Sequence, residues 1–100
     1  MYRIKQISEI VGGRLMGSDE DRMVQHLLID SRRLDAAEQT LFFALASQRN
    51  DGHKYIEDLY QSGVRAFVVS RMPEVVHPDA CYIQVQDVLK ALQQLAAHHR

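Results

Sequence analysis

Two polar clusters interrupt apolar runs in this chain, and both are rich in residue types that bind oxyanions. The first is Asp30-Ser31-Arg32, reached at the end of Leu27-Leu28-Ile29. The Ser31 hydroxyl and N–H can donate to a phosphate or sugar oxygen, and Arg32 can add a charge-assisted bond. Asp30 is better suited to orienting the turn, because a carboxylate facing phosphate is repelled. The second cluster, Ser47-Gln48-Arg49-Asn50-Asp51-Gly52-His53, follows the run Thr40-Leu41-Phe42-Phe43-Ala44-Leu45. Its amides suit a base or sugar, Arg49 suits a phosphate, and Gly52 permits close backbone approach. Each cluster also has a plainer reading. The first can be an Asx-type turn with a solvated arginine. In the second, Asp51 can be only the N-cap of the next helix, with Gly52 and His53 in its first turn. Capping and binding are compatible, since a helix N-terminus itself favours anions.

Other reactive residue types lack a supporting pattern. Gly12-Gly13-Arg14-Leu15-Met16-Gly17 follows a helix instead of a strand and is not closed by Gly-Lys-Ser/Thr, so it fails as a nucleotide loop and reads as a helix stop plus a turn. None of His26, His53, His77, His98 and His99 forms the spaced histidine–carboxylate pattern of zinc proteases, and no metal site is expected. Cys81 opens a strand and reads as a small buried side chain, with a Cys/His nucleophile pair as the rival reading. Phe42-Phe43 and Phe67-Val68-Val69 read as core, because no basic residues interleave them as in a base-stacking surface.

The elements that must position these clusters alternate between strand and helix patterns. Ile7, Ile10 and Val11 at helical spacing, closed by Gly12-Gly13, predict a short first helix. Arg14-Leu15-Met16 reads as a short strand, Val24 to Ile29 as a mostly apolar strand, and Thr40 to Leu45 as a second. A helix is expected from about Lys54 to Ser62, with Ile56, Leu59 and Tyr60 on one face and Gly63 as its C-cap. Val64 to Val69 predicts a third strand, and Met72 to Asp79, with both prolines, a loop. Tyr82-Ile83-Gln84-Val85 alternates as a half-exposed strand would. Asp87 is placed to cap a last helix with a core face of Val88, Leu92, Leu95 and Ala96. The sum is an α/β fold: a small single-domain sandwich with a mixed, partly parallel sheet flanked by helices. In such sheets ligands collect beyond the carboxyl ends of strands, where both polar clusters fall.

Composition narrows the classes of function. One hundred residues suit one domain without metal or disulfide staples, and 46% hydrophobic with 25% charged residues is ordinary for a globular protein. Twelve Lys+Arg against thirteen Asp+Glu leave a formal charge of −1, which offers no net attraction to nucleic acid or an anionic membrane. A single cysteine excludes an internal disulfide and fits a reducing, cytoplasmic setting. No apolar run reaches the roughly 18 to 20 residues that cross a bilayer, and Met1 to Gln6 lack the apolar stretch of a secretory signal. We therefore expect a soluble protein without membrane insertion. The last helix runs to Arg100 with no stop signal, so the chain is expected to continue beyond it.

Taken in order, these segments resemble the N-terminal domain of the Mur ligases, the enzymes that build the peptidoglycan precursor. The resemblance is carried by the helix and double glycine of Ile7 to Gly13, by Ile29-Asp30-Ser31-Arg32 and by Thr40 to Leu45. It continues through Asp51-Gly52-His53-Lys54-Tyr55-Ile56, Gly63 to Val69, and Val85-Gln86-Asp87-Val88 with Ala91 to Ala96. The Asp-Ser-Arg and Phe-Phe-Ala-Leu forms are most similar to the MurF type, which adds D-alanyl-D-alanine to the UDP-N-acetylmuramoyl tripeptide. The MurE type, which adds the third peptide residue, is the close alternative. The segment Arg49 to Ile56 also resembles a MurF-type variant fused to an alanine racemase.

The resemblance implies that this domain holds the UDP end of the substrate. Ser31, Arg32 and the loop Ser47, Gln48, Arg49, Asn50, Asp51, Gly52 and His53 are the implied contacts, and none is implied to be catalytic. ATP with Mg is implied for a central domain of the same chain, and pyridoxal phosphate only for a fused racemase. Family members often have glycine where this chain has Ser47, which puts the loop path in question. No Gly-Lys-Thr loop is present, so the 100 residues are expected to bind substrate without catalysing its reaction. A stand-alone interaction domain with the same fold is the alternative of a different class.

Overall fold

The runs at 41–45 and 66–69 are too uniformly apolar for a sheet with one wet face, so both faces must be covered. The computed structural model, which describes residues 2–17, 22–28, 39–45, 52–73 and 75–99, shows how. Strands β1 (Tyr2–Arg3), β2 (Arg14–Met16), β3 (Met23–Val24), β4 (His26–Leu28), β5 (Thr40–Phe43), β6 (Ala66–Val69) and β7 (Cys81–Gln84) form two sheets. The larger runs β2-β7-β6-β5-β4, with β4 to β7 mutually parallel and β2 antiparallel at the edge. The smaller is the antiparallel pair β1-β3. Helices α1 (Ile4–Ile10), α2 (Ile56–Gln61) and α3 (Val88–His99) flank the larger sheet, and a 3₁₀ turn (Gly52–Tyr55) leads into α2.

Alternation along each central strand divides the core in two. Leu41, Phe43, Ala66, Val68, Cys81 and Ile83 point to one face, where Ile4 and Ile7 of α1 and Val88, Ala91 and Leu95 of α3 cover them. Phe42, Phe67, Val69 and Tyr82 point to the other, under Ile56 and Leu59 of α2. Phe67 anchors that side, edge-on to Phe42 and stacked on Tyr82 with centroids 6.4 and 5.5 Å away.

Double coverage explains one departure from expectation. Cys81, Tyr82 and Ile83 are all buried, so β7 is a central strand and not a half-exposed one. Tyr82 misleads because its polar tip is satisfied locally: its phenolic oxygen accepts the His77 N–H at 3.1 Å. The expected single strand of 24–29 is also divided. Met23 and Val24 pair with β1, while His26 to Leu28 join the large sheet, and between them the Gln25 N–H donates to the Gln39 carbonyl. On α3 the buried positions are Val88, Ala91 and Leu95, with Leu92 half-buried and Ala96 exposed, a stripe rotated from the expected one.

The first helix ends as its glycines require. Gly12 takes φ +65°, its N–H donates to the Glu9 carbonyl, and the Gly13 N–H reaches back to Ser8 at 2.9 Å. This is a Schellman stop, a left-handed residue that glycine adopts at little cost. Gly13 then packs so tightly on β7 that a Cβ there would lie 2.5 Å from the Ile83 Cγ2.

Candidate functional site

Parallel strands deliver all their carboxyl ends to one edge, and the chain around β5 and β6 is organised there. After Phe43 the backbone continues through Ala44 to Leu45, and it returns at Gly52, whose N–H donates to the Leu45 carbonyl at 2.6 Å. A Cβ on Gly52 would stand 2.9 Å from both the nitrogen and the oxygen of Leu45 and 3.0 Å from the Ala44 carbonyl carbon. These are backbone atoms that cannot step aside. Glycine at 52 is what lets the chain close on the end of β5.

His53 makes the next tie. Its Nε2 lies 3.1 Å from the backbone nitrogen of Ser70, the first residue past β6, and 3.3 Å from the Ser70 Oγ. Because the Ser70 N–H donates, Nε2 presents its lone pair, and the neutral ring is assigned its proton on Nδ1. The carboxyl ends of β5 and β6 are thus joined through one imidazole. Beside it opens a groove of about 410 Å³ with the Lys54 and Arg71 cations, Glu57, and the apolar side chains Ile56 and Met72 on its walls. Two cations beside apolar side chains, with the one carboxylate engaged by His77, suit a ligand that pairs an oxyanion with a flat or apolar group.

A second polar cluster fastens the connection between β6 and β7 to α2. The Tyr60 ring stacks on His77 with centroids 3.5 Å apart, and the Arg65 guanidinium covers the ring's other face at 4.0 Å. The Tyr60 hydroxyl donates to Asp79 at 2.6 Å, Arg65 pairs with the same carboxylate at 3.3 Å, and His77 meets Glu57 at 2.7 Å. The bond from Tyr60 holds the Asp79 carboxyl below its ordinary range and raises the Tyr60 phenol in return. Glu57 is lowered chiefly by His77 and then by Gln61. Burial raises the Tyr82 phenol. Every group is matched within the cluster, which reads as a fastening.

Of the residues expected at the site, the structure brings Gly52 and His53 together at the sheet edge. Ser31, Arg32, Ser47, Gln48, Arg49, Asn50 and Asp51 lie outside the described residues. Ser70, Lys54 and Arg71 were not anticipated. The signal for Ser70 is present in the sequence, since Val68-Val69-Ser70-Arg71 repeats the abrupt change from apolar to polar seen at Ile29-Asp30. Cys81 is 1% exposed within the core, as expected of a small apolar side chain, and offers no accessible thiol. Among the described residues, no three His, Cys, Asp or Glu side chains converge as a metal would require, and no helix is long and apolar enough to cross a membrane.

Comparison with known proteins gives a consistent set of relatives. The family profile described as "Mur ligase family, catalytic domain" matches residues 23–100. The UDP-N-acetylmuramoyl-tripeptide–D-alanyl-D-alanine ligase of Bacillus subtilis is 35% identical over 94 residues, covering 93% of this chain and 20% of the relative. A UDP-N-acetylmuramoyl-L-alanyl-D-glutamate–2,6-diaminopimelate ligase from Cytophaga hutchinsonii is 33% identical, covering 98% of this chain and 18% of the relative. Among solved structures, a crystal structure of MurF from Acinetobacter baumannii aligns with a TM-score of 0.82 at 22% identity, over 97% of this chain and 20% of its own. A D-alanyl-D-alanyl ligase structure from the same organism aligns at 0.77 and 23% identity, over 97% of this chain and 21% of its own. At that identity the structures speak to fold alone. The chain spans about a fifth of the length of these proteins.

Proposed function

The chain belongs to the Mur ligase family, and from that premise we propose that it is the substrate-binding N-terminal domain of a ligase of peptidoglycan precursor synthesis. Its task is to grip the UDP end of a UDP-N-acetylmuramoyl peptide. The observation that supports this reading most is the closure of the chain on β5, with Gly52 bonded to Leu45 and His53 bridging to Ser70. That closure lies at the edge where an α/β sheet receives ligands, and Ser47 to Asp51, which immediately precede Gly52 in sequence, are assigned to the contact set. Ser31 and Arg32 follow the neighbouring strand β4 and complete the proposed contact set.

Neither a sequence motif nor the described residues point to a site for ATP or Mg. The sequence has no Gly-Lys-Ser/Thr loop, and among the described residues no acidic or imidazole cluster forms a metal site. We assign those groups, and amide formation, to a central domain of a longer chain. The contribution of these 100 residues is then positional. Binding energy collected on a remote nucleotide is used to place a distant peptide carboxylate for reaction.

Within the family we favour the MurF type, supported by the 35% identity to the Bacillus subtilis D-alanyl-D-alanine ligase. The 33% identity to a diaminopimelate ligase supports the MurE type as the second reading. Pyridoxal phosphate enters only with a fused racemase.

Calorimetric titration tests the binding role. UDP-N-acetylmuramoyl tripeptide should bind, UDP should compete for the same site, and a muramoyl peptide without the nucleotide should bind far more weakly. Equal affinity for the peptide without nucleotide would overturn the assignment. Incubating the full-length enzyme with ATP and either D-alanyl-D-alanine or 2,6-diaminopimelate, each with its matching UDP-muramoyl peptide, separates the two types by product mass.

A further inference from the structure

The carboxyl ends of β6 and β7 diverge. The chain leaving β6 crosses the α2 face, where Met72 and Ala80 join the core and His77 stacks on Tyr60. The chain leaving β7 turns to the opposite face and becomes α3, whose Val88, Ala91 and Leu95 pack with α1. Adjacent parallel strands whose connections part to opposite faces leave a crevice between them, and such a switch point is where open α/β sheets place ligands. Helix α2, which follows β5, packs on the same face as the chain leaving β6, so this crevice meets the turn at Gly52 and His53 only through Ser70.

A cavity of about 680 Å³ occupies it, between the glycine turn that ends α1 and the first turns of α3. Its wall carries two cations, Arg14 and Lys90, and the amides of Gln84, Gln86 and Gln94, with Ser70 on the border shared with His53. Among the described residues, the side chains of Arg14, Lys90 and these glutamines have no hydrogen bond or ion pair. One carboxylate, Asp87, also lines the cavity, and its Oδ1 already accepts the Lys90 N–H at 3.2 Å. Two cations against one committed carboxylate leave the crevice cationic. Three amides supply both donors and acceptors around it.

We propose that this crevice is a second ligand site, which takes an oxyanion, phosphate or carboxylate, carried on a ligand rich in hydrogen-bonding groups. Arg14 and Lys90 hold the oxyanion, and the glutamines pair with amide or hydroxyl groups next to it. On the function proposed above, two parts of one substrate have this chemistry: the diphosphate and the peptide carboxylates. Only the choice of source rests on that function. The crevice itself is argued from topology and side chains.

The test is a heteronuclear NMR titration of this chain with inorganic pyrophosphate and, separately, with the dipeptide L-alanyl-D-glutamate. The variant R14Q/K90Q serves as the control, both positions being exposed and able to accept glutamine without disturbing the core. We expect one of the two ligands to shift the amides of Gly12, Arg14, Gln86 and Lys90, and the shifting ligand identifies the source. The double variant should weaken that binding by roughly tenfold or more, the loss of two charge-assisted contacts. Silence with both ligands overturns the proposal, as does a titration the double variant leaves unchanged. UMP added alone keeps the two ideas separate. Shifts at Gly52 and His53 with UMP support the nucleotide site and their absence counts against it, while the crevice stands or falls on pyrophosphate and the dipeptide.

Discussion

At the scale of single residues, Gly52 and His53 set the geometry of the candidate site. Gly52→Ala forces a methyl group against the Leu45 and Ala44 backbone, at distances near 2.9 Å that no side-chain rotation relieves. We expect it to lower the free energy of unfolding by about 1–3 kcal/mol, the usual cost of overpacking, and to weaken nucleotide binding by disturbing the loop it anchors. Urea unfolding beside a UDP titration reads both effects. His53→Phe keeps an aromatic ring at the position but removes the acceptor for the Ser70 N–H. A partly buried donor left unpaired should cost about 1 kcal/mol, and the Ser70 amide should lose hydrogen-exchange protection. Unchanged protection there would mean that the imidazole does not tie β6 to the turn. The importance of Gly52 was legible in the sequence as a general licence for close approach. Its actual neighbour was not, because the contact is made across a loop to a backbone carbonyl. Ser70 was less legible still, since its partner lies 17 residues earlier in the chain.

At the scale of elements, the connection between β6 and β7 is held by charge and stacking instead of by a helix. Glu57 and Asp79 are carboxylates whose partners keep them below their ordinary range. Groups lowered in the folded state contribute stability that is present above their unfolded pKa and lost as pH falls through the folded one. The fastening should therefore weaken on acidification below about pH 4, the ordinary range of free carboxylates. Both groups are exposed, so the effect will be modest and salt-sensitive. Thermal melts across an acid series should show a steeper loss for the native chain than for Glu57→Gln with Asp79→Asn, and parallel curves would contradict the account. Tyr60→Phe keeps the stack on His77 while removing the 2.6 Å bond to Asp79, so it should perturb less than Tyr60→Ala. None of this was legible from local pattern. His77 and Asp79 sit in a proline-containing stretch that reads only as loop, and their partners on α2 are named only once the sheet is folded. The Gly12-Gly13 stop was legible for the opposite reason, its whole chemistry being contained in one turn.

At the scale of the molecule, a four-strand parallel array is sealed by helices on both faces, and the central strands carry the core. Ile83 is fully buried between α1 and α3, and Ile83→Ala should cost about 2–5 kcal/mol by leaving a cavity there. A chemical denaturation curve shifted by less than 1 kcal/mol, read against that range, would show that α1 and α3 collapse onto the space. The architecture was anticipated because alternating apolar strands and amphipathic helices admit few arrangements. The burial of β7 was missed because Tyr82 and Gln84 alternate with apolar neighbours, while the Tyr82 hydroxyl finds a partner inside. The polar change after β5 was legible as chemistry, and the crevice between β6 and β7 was not, because a switch point is a property of topology.

The central claim is that the carboxyl end of β5 receives the nucleotide end of a muramoyl substrate. The most direct measurement is an NMR titration of the isotope-labelled chain with UDP-N-acetylmuramoyl tripeptide, using UDP and UMP as controls. The account predicts saturable shifts at Gly52, His53 and Ser70, extending to Ser31, Arg32 and the loop 47–51, and reproduced in large part by UDP alone. A folded chain whose amides at those positions stay still at millimolar ligand would contradict it.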